Sequence, residues 1–206
     1  MAVNSNQIGV AALALAFIGL LFACISEGTL SWTVYETTDN SFPDCTMTMK
    51  QNTGLYVYKN YYEVKGSSCA SLGLTDETNT ADINCDFLST TDCERLNNTR
   101  AGSGLAVATS VISLILFIVA KFVTENKFVK FGNAVFLLAG GLSAWGAVGE
   151  WSKLNQSVFG FSANHTSDYG FSWDLEIAVG FLMIIAAILV TVQGFLPSDS
   201  GTDNKA

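Results

Sequence analysis

Apolar residues are concentrated in four long stretches that polar segments separate. The stretches cover residues 8–26, 104–120, 129–149 and 175–196. A helix needs roughly 17 to 25 mainly apolar residues to cross a hydrocarbon core about 30 Å thick, and each stretch has that length. The pattern therefore predicts four transmembrane helices, with a long polar segment after the first and shorter ones after the second and third.

The composition agrees with a membrane protein. Half of the 206 residues are hydrophobic and only 14% are charged, whereas roughly a quarter are charged in a typical soluble domain. The first stretch contains no charged residue and no basic segment precedes it, which favours a retained span. A cleaved signal peptide is the alternative, because the small residues within 22–26 offer a cleavage position.

The long segment after the first span has the residues of a β-rich domain. Residues 31–37 and 54–64 are rich in β-branched and aromatic residues that partly alternate with polar ones, and they predict two strands. Pro43 and the polar residues 52–54 and 66–68 predict turns between strands. The segment has too little apolar content to bury a full core alone, so covalent links are expected to support it.

Four cysteines of this segment form an even set that predicts two disulfides. They are Cys45, Cys69, Cys85 and Cys93. Three pairings are open, and a zinc site is disfavoured because no Cys-x-x-Cys pair occurs. Cys24, in the first span, is expected to be a buried thiol. Residues 74–86 are polar and acidic and are expected to be mobile, and a short helix is expected from Asp92 into the second span.

The predicted fold is an all-α bundle of four transmembrane helices with a small disulfide-linked antiparallel β-sheet domain in the first extracellular loop. Three lysines between the second and third spans, Lys121, Lys127 and Lys130, indicate a cytoplasmic loop at residues 121–128. Both termini, including a tail at 197–206, are then cytoplasmic. The extracellular loops are 27–103 and 150–174.

Glycosylation sequons offer a second indication of sidedness. They lie at Asn97, Asn155 and Asn164, all within the two predicted extracellular loops. Three tryptophans near the outer ends of the third and fourth spans are predicted to anchor at the headgroup level. They are Trp145, Trp151 and Trp173.

Small residues in the third span predict close helix packing. They are Ala139, Gly140, Ser143, Ala144 and Ala147. Asp174 and Glu176 begin the fourth span, where an acid is stabilised by the helix dipole. The alternative role, ion coordination, would require Glu176 to face a water-filled cleft.

The sequence offers no pattern of catalytic residues. His165 is the single histidine and lies within a sequon, so neither a catalytic dyad nor a metal cluster is predicted. We expect no enzyme activity, no cofactor, no metal and no nucleic-acid partner. Residues 203–206 lack the hydrophobic end of a typical PDZ ligand, so no PDZ scaffold is expected.

Several stretches of the sequence resemble one known family. Residues 131–143 are similar to the small-residue third helix of the claudin, peripheral myelin protein and calcium-channel gamma-subunit superfamily. Residues 169–173 resemble the aromatic run that opens its fourth helix, and residues 99–101 resemble the Arg-Ala pair before its second. Trp32 stands where the family places its first tryptophan, and residues 54–56 resemble its Gly-Leu-Trp motif. The four-cysteine pattern resembles the gamma-subunit and clarin branches more than claudins.

The resemblance implies one claudin-like tetraspan domain over residues 1–206 in the plasma membrane, acting through protein contacts. The favoured hypothesis is a cell-contact or junction protein that binds itself in cis or in trans, with Trp32 and the tyrosine-rich strand as exposed contacts. The alternative is an auxiliary subunit of a larger channel or receptor, and a weaker one is a myelin-type membrane organiser. The motif and contact candidates are Trp32, Gly54, Leu55, Tyr56, Arg100, Tyr169, Gly170, Phe171, Ser172 and Trp173.

Overall fold

The structure of the protein is a computed structural model that describes residues 4–86, 88–123, 126–158 and 166–196. In chain order the elements are α1 (Ser5–Gly28), β1 (Thr33–Phe42), β2 (Cys45–Thr53), β3 (Val57–Lys65), a 3-10 helix (Ala70–Leu72), β4 (Glu77–Asp82), α2 (Thr90–Phe122), α3 (Lys127–Val158), β5 (Thr166–Tyr169) and α4 (Phe171–Phe195). The predicted tail at residues 197–206, the sequon at Asn164 and His165 lie outside the described residues.

The four helices are all long and apolar enough to cross a membrane, as the hydrophobic pattern predicted. Helix α2 begins at Thr90, well before its apolar part, which confirms the helix expected to lead into the second span. Ser89 explains this start. Its hydroxyl accepts a hydrogen bond from the Asp92 backbone N–H at 3.2 Å and donates to the Asp92 carboxylate at 2.7 Å. This pair resembles a capping box.

The described residues fall into two compact units. The helical unit comprises the described parts of Met1–Cys24, Gly102–Trp145 and Ile177–Ala206. The sheet unit comprises those of Ile25–Ala101 and Gly146–Glu176. The four long helices each contribute residues to both units.

The core of the helical unit consists mainly of alanine. Eight of the twelve residues in its buried cluster are alanines, and the other four are Leu137, Val179, Met183 and Val190. Such small side chains let helix backbones approach closely, which is how helices gain van der Waals contact where lipid removes the hydrophobic drive to associate. Cys24, which we expected to be buried, is exposed on α1.

Two adjacent glycines of α3 pack tightly against neighbouring helices. A methyl group on Gly141 would lie 2.9 Å from the Gly180 carbonyl oxygen and 2.8 Å from the Ile184 side chain, so only glycine fits. A methyl group on Gly140 would overlap Met183 and the Thr109 hydroxyl. Two adjacent glycines of α3 therefore set its separation from neighbouring helices.

The predicted small-residue stripe is only partly correct. Gly140, Ala144 and Ala147 are buried, but Ala139 and Ser143 are half-buried. The packed face is rotated by about one residue toward Gly140, Gly141 and Ala144, because Leu137 occupies the centre of that face one turn earlier.

The sheet unit contains one antiparallel sheet with the strand order β4-β3-β2-β1-β5. Thr33 of β1 pairs with Thr53 of β2 on one side and with Tyr169 of β5 on the other. Thr53 pairs in turn with Tyr58 of β3, which pairs with Ala81 of β4. The two predicted strands correspond to β1 and β3. Strand β4 lies within the polar stretch that we expected to be mobile.

Two disulfides connect the cysteines of the sheet unit, as predicted, and their pairing is now defined. Cys45, the first residue of β2, joins Cys69, which lies 24 residues later beside the 3-10 helix. Cys85 joins Cys93 in the first turn of α2, eight residues later. One disulfide therefore holds the end of the sheet at the β1–β2 turn, which we call its far end. The other attaches the segment after β4 to α2.

We predict that Gly141→Ala lowers the thermal unfolding midpoint of the purified chain in detergent, because the added methyl group would meet the Gly180 carbonyl oxygen. Overpacking of this kind costs roughly 1 to 3 kcal/mol. The matched control is Gly132→Ala, on the same helix with no atom near the added methyl group. It should be neutral or slightly stabilising, since alanine favours helix by about 1 kcal/mol. Equal midpoints for the two variants would show that α3 and α4 do not approach this closely.

Candidate functional site

A second buried cluster, in the sheet unit, surrounds Trp32. Its members are Trp32, Leu55, Leu96, Ala147, Trp151 and Leu154. The Trp32 side chain is completely buried, its ring meets that of Trp151 edge-on at 5.4 Å between centroids, and its Nε1–H donates to the Ser26 carbonyl at 2.8 Å. The expectation that Trp32 is an exposed contact residue is therefore wrong. So is the expectation that Trp151 anchors at a headgroup layer, because its side chain is buried as well.

Arg100 of α2 connects three parts of the sheet unit. Its Nε donates to the Leu55 carbonyl at 2.9 Å, and one of its terminal nitrogens donates to the Ile83 carbonyl at 2.6 Å. The guanidinium lies 5.0 Å from the centroid of the Tyr56 ring, within cation–π range. The sequence motif at residues 54–56 and Arg100 are therefore in direct contact. Together they hold parts of the sheet unit to α2.

Gly54 lies in the short connection between β2 and β3, directly before Leu55. A methyl group there would lie 2.7 Å from the Thr29 carbonyl oxygen, so the position accepts only glycine. Tyr56 follows and is 45% exposed, with its hydroxyl donating to Glu27 at 3.0 Å. Partial burial, together with the bond to Glu27, raises the pKa of Tyr56 above its ordinary value. The phenol therefore stays protonated and can donate throughout the physiological pH range.

The aromatic run at the start of α4 also attaches to the segment around Trp32. The Gly170 backbone N–H donates to the Trp32 carbonyl at 3.1 Å, and the Ser172 N–H donates to the Ser31 carbonyl at 3.0 Å. The rings of Tyr169 and Trp173 stack with centroids 4.3 Å apart. The motif candidates from both loops are thus brought together by the fold.

Most of these motif residues are internal, but some reach the surface. Among the residues that open α4, Ser172 is completely buried, whereas Phe171 is 62% exposed. Asp174 is exposed in the first turn of α4, where the dipole role predicted for it applies. Glu176 is completely buried, so it does not face a water-filled cleft as the ion-coordination alternative required.

A buried relay of hydrogen bonds runs from α3 to β1. The Trp151 Nε1–H donates to the Thr33 hydroxyl at 3.0 Å, and that hydroxyl donates to the Asn155 side-chain oxygen at 3.1 Å. Asn155 is only 5% exposed. A glycan on this side chain would have no room, so the predicted glycosylation site at Asn155 is wrong. Asn97, by contrast, is exposed on α2 and stays a predicted site.

The far end of the sheet exposes large apolar side chains that sequence reasoning missed. Phe42, the last residue of β1, is 47% exposed, and Leu72, in the 3-10 helix, is 48% exposed. Phe42 pairs directly with Cys45, and Leu72 follows Cys69 by three residues, so the disulfide between these cysteines joins the two segments. We call Phe42 and Leu72 the apolar tip. The only signal in the sequence was a phenylalanine before the Pro43 turn.

Within the described ranges, no group of three histidine, cysteine, aspartate or glutamate side chains lies close enough to hold a metal ion. The described cysteine outside the disulfides is Cys24, on α1. What the sheet unit does offer is a braced sheet with an apolar tip and partly exposed aromatic rings.

Comparison of the sequence with models of known protein families found no match, and comparison with the curated proteins found none either. The likeness to the claudin superfamily therefore stays a prediction that is based on this chain's own residues.

We predict that Thr33→Val destabilises the protein by roughly 2 to 4 kcal/mol, because it leaves the Trp151 N–H and the Asn155 oxygen buried without their partner. The change keeps the shape of the side chain. Thr37→Val is the matched control, since Thr37 is half-buried on the same face of β1. Thermal unfolding followed by tryptophan fluorescence measures both. A cost for Thr37→Val as large as that for Thr33→Val would contradict the relay.

Arg100→Lys is expected to lower stability by about 2 to 3 kcal/mol, because an ammonium cannot reach both carbonyl oxygens that the guanidinium bonds. Arg95→Lys makes the same chemical change five residues earlier on α2, at a partly exposed ion pair with Asp92. It should cost less than about 1 kcal/mol. Limited proteolysis of the folded chain offers a second readout, with faster cleavage expected for the Arg100 variant alone.

Proposed function

We propose that the protein is a non-enzymatic, claudin-like membrane protein that acts through extracellular contacts, most directly with further copies of itself at cell–cell junctions. In this proposal the four apolar helices span the plasma membrane and both termini are cytoplasmic. The sheet unit then faces the extracellular space. The apolar tip is the observation that carries the proposal.

The disulfides support an extracellular sheet unit. Both of them lie in the segment between α1 and the apolar part of α2. Disulfides persist in oxidising compartments and are rare in the cytosol. The three lysines near the α2–α3 connection support the same orientation, since basic residues favour the cytoplasmic side.

The apolar tip supplies what a contact surface needs. Phe42 and Leu72 are large and exposed, and the disulfide three residues from each restrains their backbone segments, which lowers the ordering cost when a partner covers them. An apolar residue that acts as a binding hot spot costs more than about 1 kcal/mol when it is truncated.

Charge also favours contact through the tip over contact through the rest of the sheet unit. The sequence of the sheet unit holds fifteen acids and six bases. Two copies brought together through acidic surfaces would repel each other, although salt screens charges separated by more than about 8 Å. Within that unit, contact between two apolar tips is favourable, whereas contact between two acidic surfaces is not.

The test uses two populations of cells that express the protein with different fluorescent labels. The wild-type protein is expected to become enriched where cells of the two populations touch. The double variant Phe42→Ser with Leu72→Ser should lose most of that enrichment, because it removes both apolar anchors while leaving the disulfide in place.

The control variant is Val158→Ser, which changes an exposed apolar residue at the end of α3 in the same unit. It should keep wild-type enrichment. Surface biotinylation establishes that all variants reach the plasma membrane in equal amounts. If wild-type protein at the surface is not enriched at contacts, the junction proposal is wrong.

Crosslinking in native membranes, followed by mass spectrometry, distinguishes self-contact from the alternative role. Crosslinks between copies of the sheet unit support the junction proposal. Crosslinks from the sheet unit to a larger channel or receptor, in constant stoichiometry, would overturn it and favour an auxiliary subunit.

A further inference from the structure

The helical unit contains a cleft whose polar lining residues lie toward one end and whose apolar ones lie toward the other. The cleft has a volume of about 610 Å³ and lies where the start of α1 meets the end of α2. Val10 and Ile118 in its wall are more than half exposed, so the cleft opens sideways to the surroundings. Ligand sites commonly have volumes of about 300 to 1,000 Å³, so this one is large enough for a polar headgroup and part of an acyl chain.

On both α1 and α2, the polar lining residues lie at the same end of the cleft. On α1, polar residues at positions 4–6 are followed along the helix by the apolar Val10 and Leu13. On α2, the apolar Phe117 and Ile118 are followed by Lys121, and Phe122 lies beside this lysine. The Lys121 ammonium donates to the Asn6 side-chain oxygen at 3.0 Å, which fixes the two polar ends side by side. One end of the cleft therefore carries the polar groups and the other is apolar, with a separation of about 10 Å along α1 and about 6 Å along α2 at 1.5 Å per helical residue.

The polar end is positively charged. Lys121 and Lys130 line it, and the lining as far as the structure describes it contains no aspartate or glutamate. Neither lysine has a carboxylate within ion-pair distance among the described residues. The first turn of α1, which also lines the cleft, carries no acid, so the positive end of its helix dipole adds to the two ammonium charges.

We propose that this cleft binds an anionic glycerophospholipid, with the phosphate and its anionic headgroup at the two lysines and one acyl chain along Val10, Leu13 and Phe117. The apolar walls and the lateral opening suit a lipid better than a free anion, which would leave those walls without a partner. Two ammonium groups with no acid beside them among the described residues suit a headgroup of net negative charge better than phosphocholine, whose net charge is zero. Basic pockets at the ends of membrane helices are known to favour such lipids.

The inference is independent of the junction proposal. It requires only that α1 and α2 lie in a bilayer. If the orientation proposed above is correct, the cleft opens to the cytoplasmic leaflet, where anionic lipids are concentrated.

The test is native mass spectrometry of the full chain in detergent, titrated with palmitoyl-oleoyl phosphatidylserine or with the phosphatidylcholine of the same acyl chains. We expect phosphatidylserine to bind about tenfold more tightly or better, since one lysine near a headgroup contributes roughly a factor of five. Equal binding of the two lipids would overturn the proposal.

Variants locate the site. The double variant Lys121→Gln with Lys130→Gln should weaken phosphatidylserine binding by roughly fivefold for each lysine. The control pair, Lys127→Gln with Lys153→Gln, removes the same two charges from positions that do not line the cleft, and it should bind like the wild type. The double variant Lys121→Arg with Lys130→Arg should retain binding. If the Lys121→Gln, Lys130→Gln variant and its control lose binding equally, net charge alone attracts the lipid and the assigned site is wrong.

Two further measurements separate a lipid from a free anion. Val10→Trp adds bulk to the apolar wall without changing charge, and it should reduce phosphatidylserine binding. Inorganic phosphate and glycerophosphoserine, which lack acyl chains, should displace the lipid only at far higher concentration. Displacement at concentrations equal to that of the lipid, with Val10→Trp binding normally, would make this a free anion site and contradict the lipid assignment.

Discussion

The sheet unit depends on the burial of one residue, Trp32, whose polar groups each bind a different segment. Its backbone N–H donates to the Thr53 carbonyl at 2.9 Å, and its carbonyl accepts from the Gly170 N–H. Its indole N–H bonds the Ser26 carbonyl, and its ring packs on Trp151. An unmet polar group costs about 1 to 3 kcal/mol when buried, so these bonds require all the segments to be in place at once. The end of α1, the sheet, α3 and the start of α4 are therefore held in one arrangement within this unit.

The helical unit obeys a different constraint. In a bilayer, apolar side chains gain nothing by leaving lipid for protein, so the helices gain stability from close contact and from a few polar pairs. The alanine cluster and Gly141 provide the close contact. Ser113 of α2 and Asn133 of α3, both completely or nearly buried, provide a hydrogen bond between helices. A chain that must satisfy both constraints needs large aromatic residues in one unit and small residues in the other.

The sequence was sufficient for those features that a local pattern determines. Long apolar stretches identify four membrane-length helices, and alternating aromatic residues identify β1 and β3. Strands β2, β4 and β5 were missed, because β2 and β4 mix threonines with charged and amide residues and lack an apolar alternation, and β5 has only four residues. All six residues of β4 are exposed, and its conformation results from pairing with β3. The disulfide pairing was also undetermined, because it follows from the register that brings Cys45 to the end of the sheet.

Burial of the motif residues could not be read from their identity. A tryptophan in a loop looks the same in the sequence whether it contacts a partner or fills a core. Here Trp32 fills a core, because its segment packs against Trp151 of α3. The same applies to Asn155, whose sequon is obvious in the sequence and whose side chain is internal. The recognisable motifs thus specify how the sheet unit is assembled. Residues that no motif marks, Phe42 and Leu72, remain exposed at its end. The motif residues of the sheet unit are therefore committed to its folding, and the contact surface proposed above consists of residues that no motif marks.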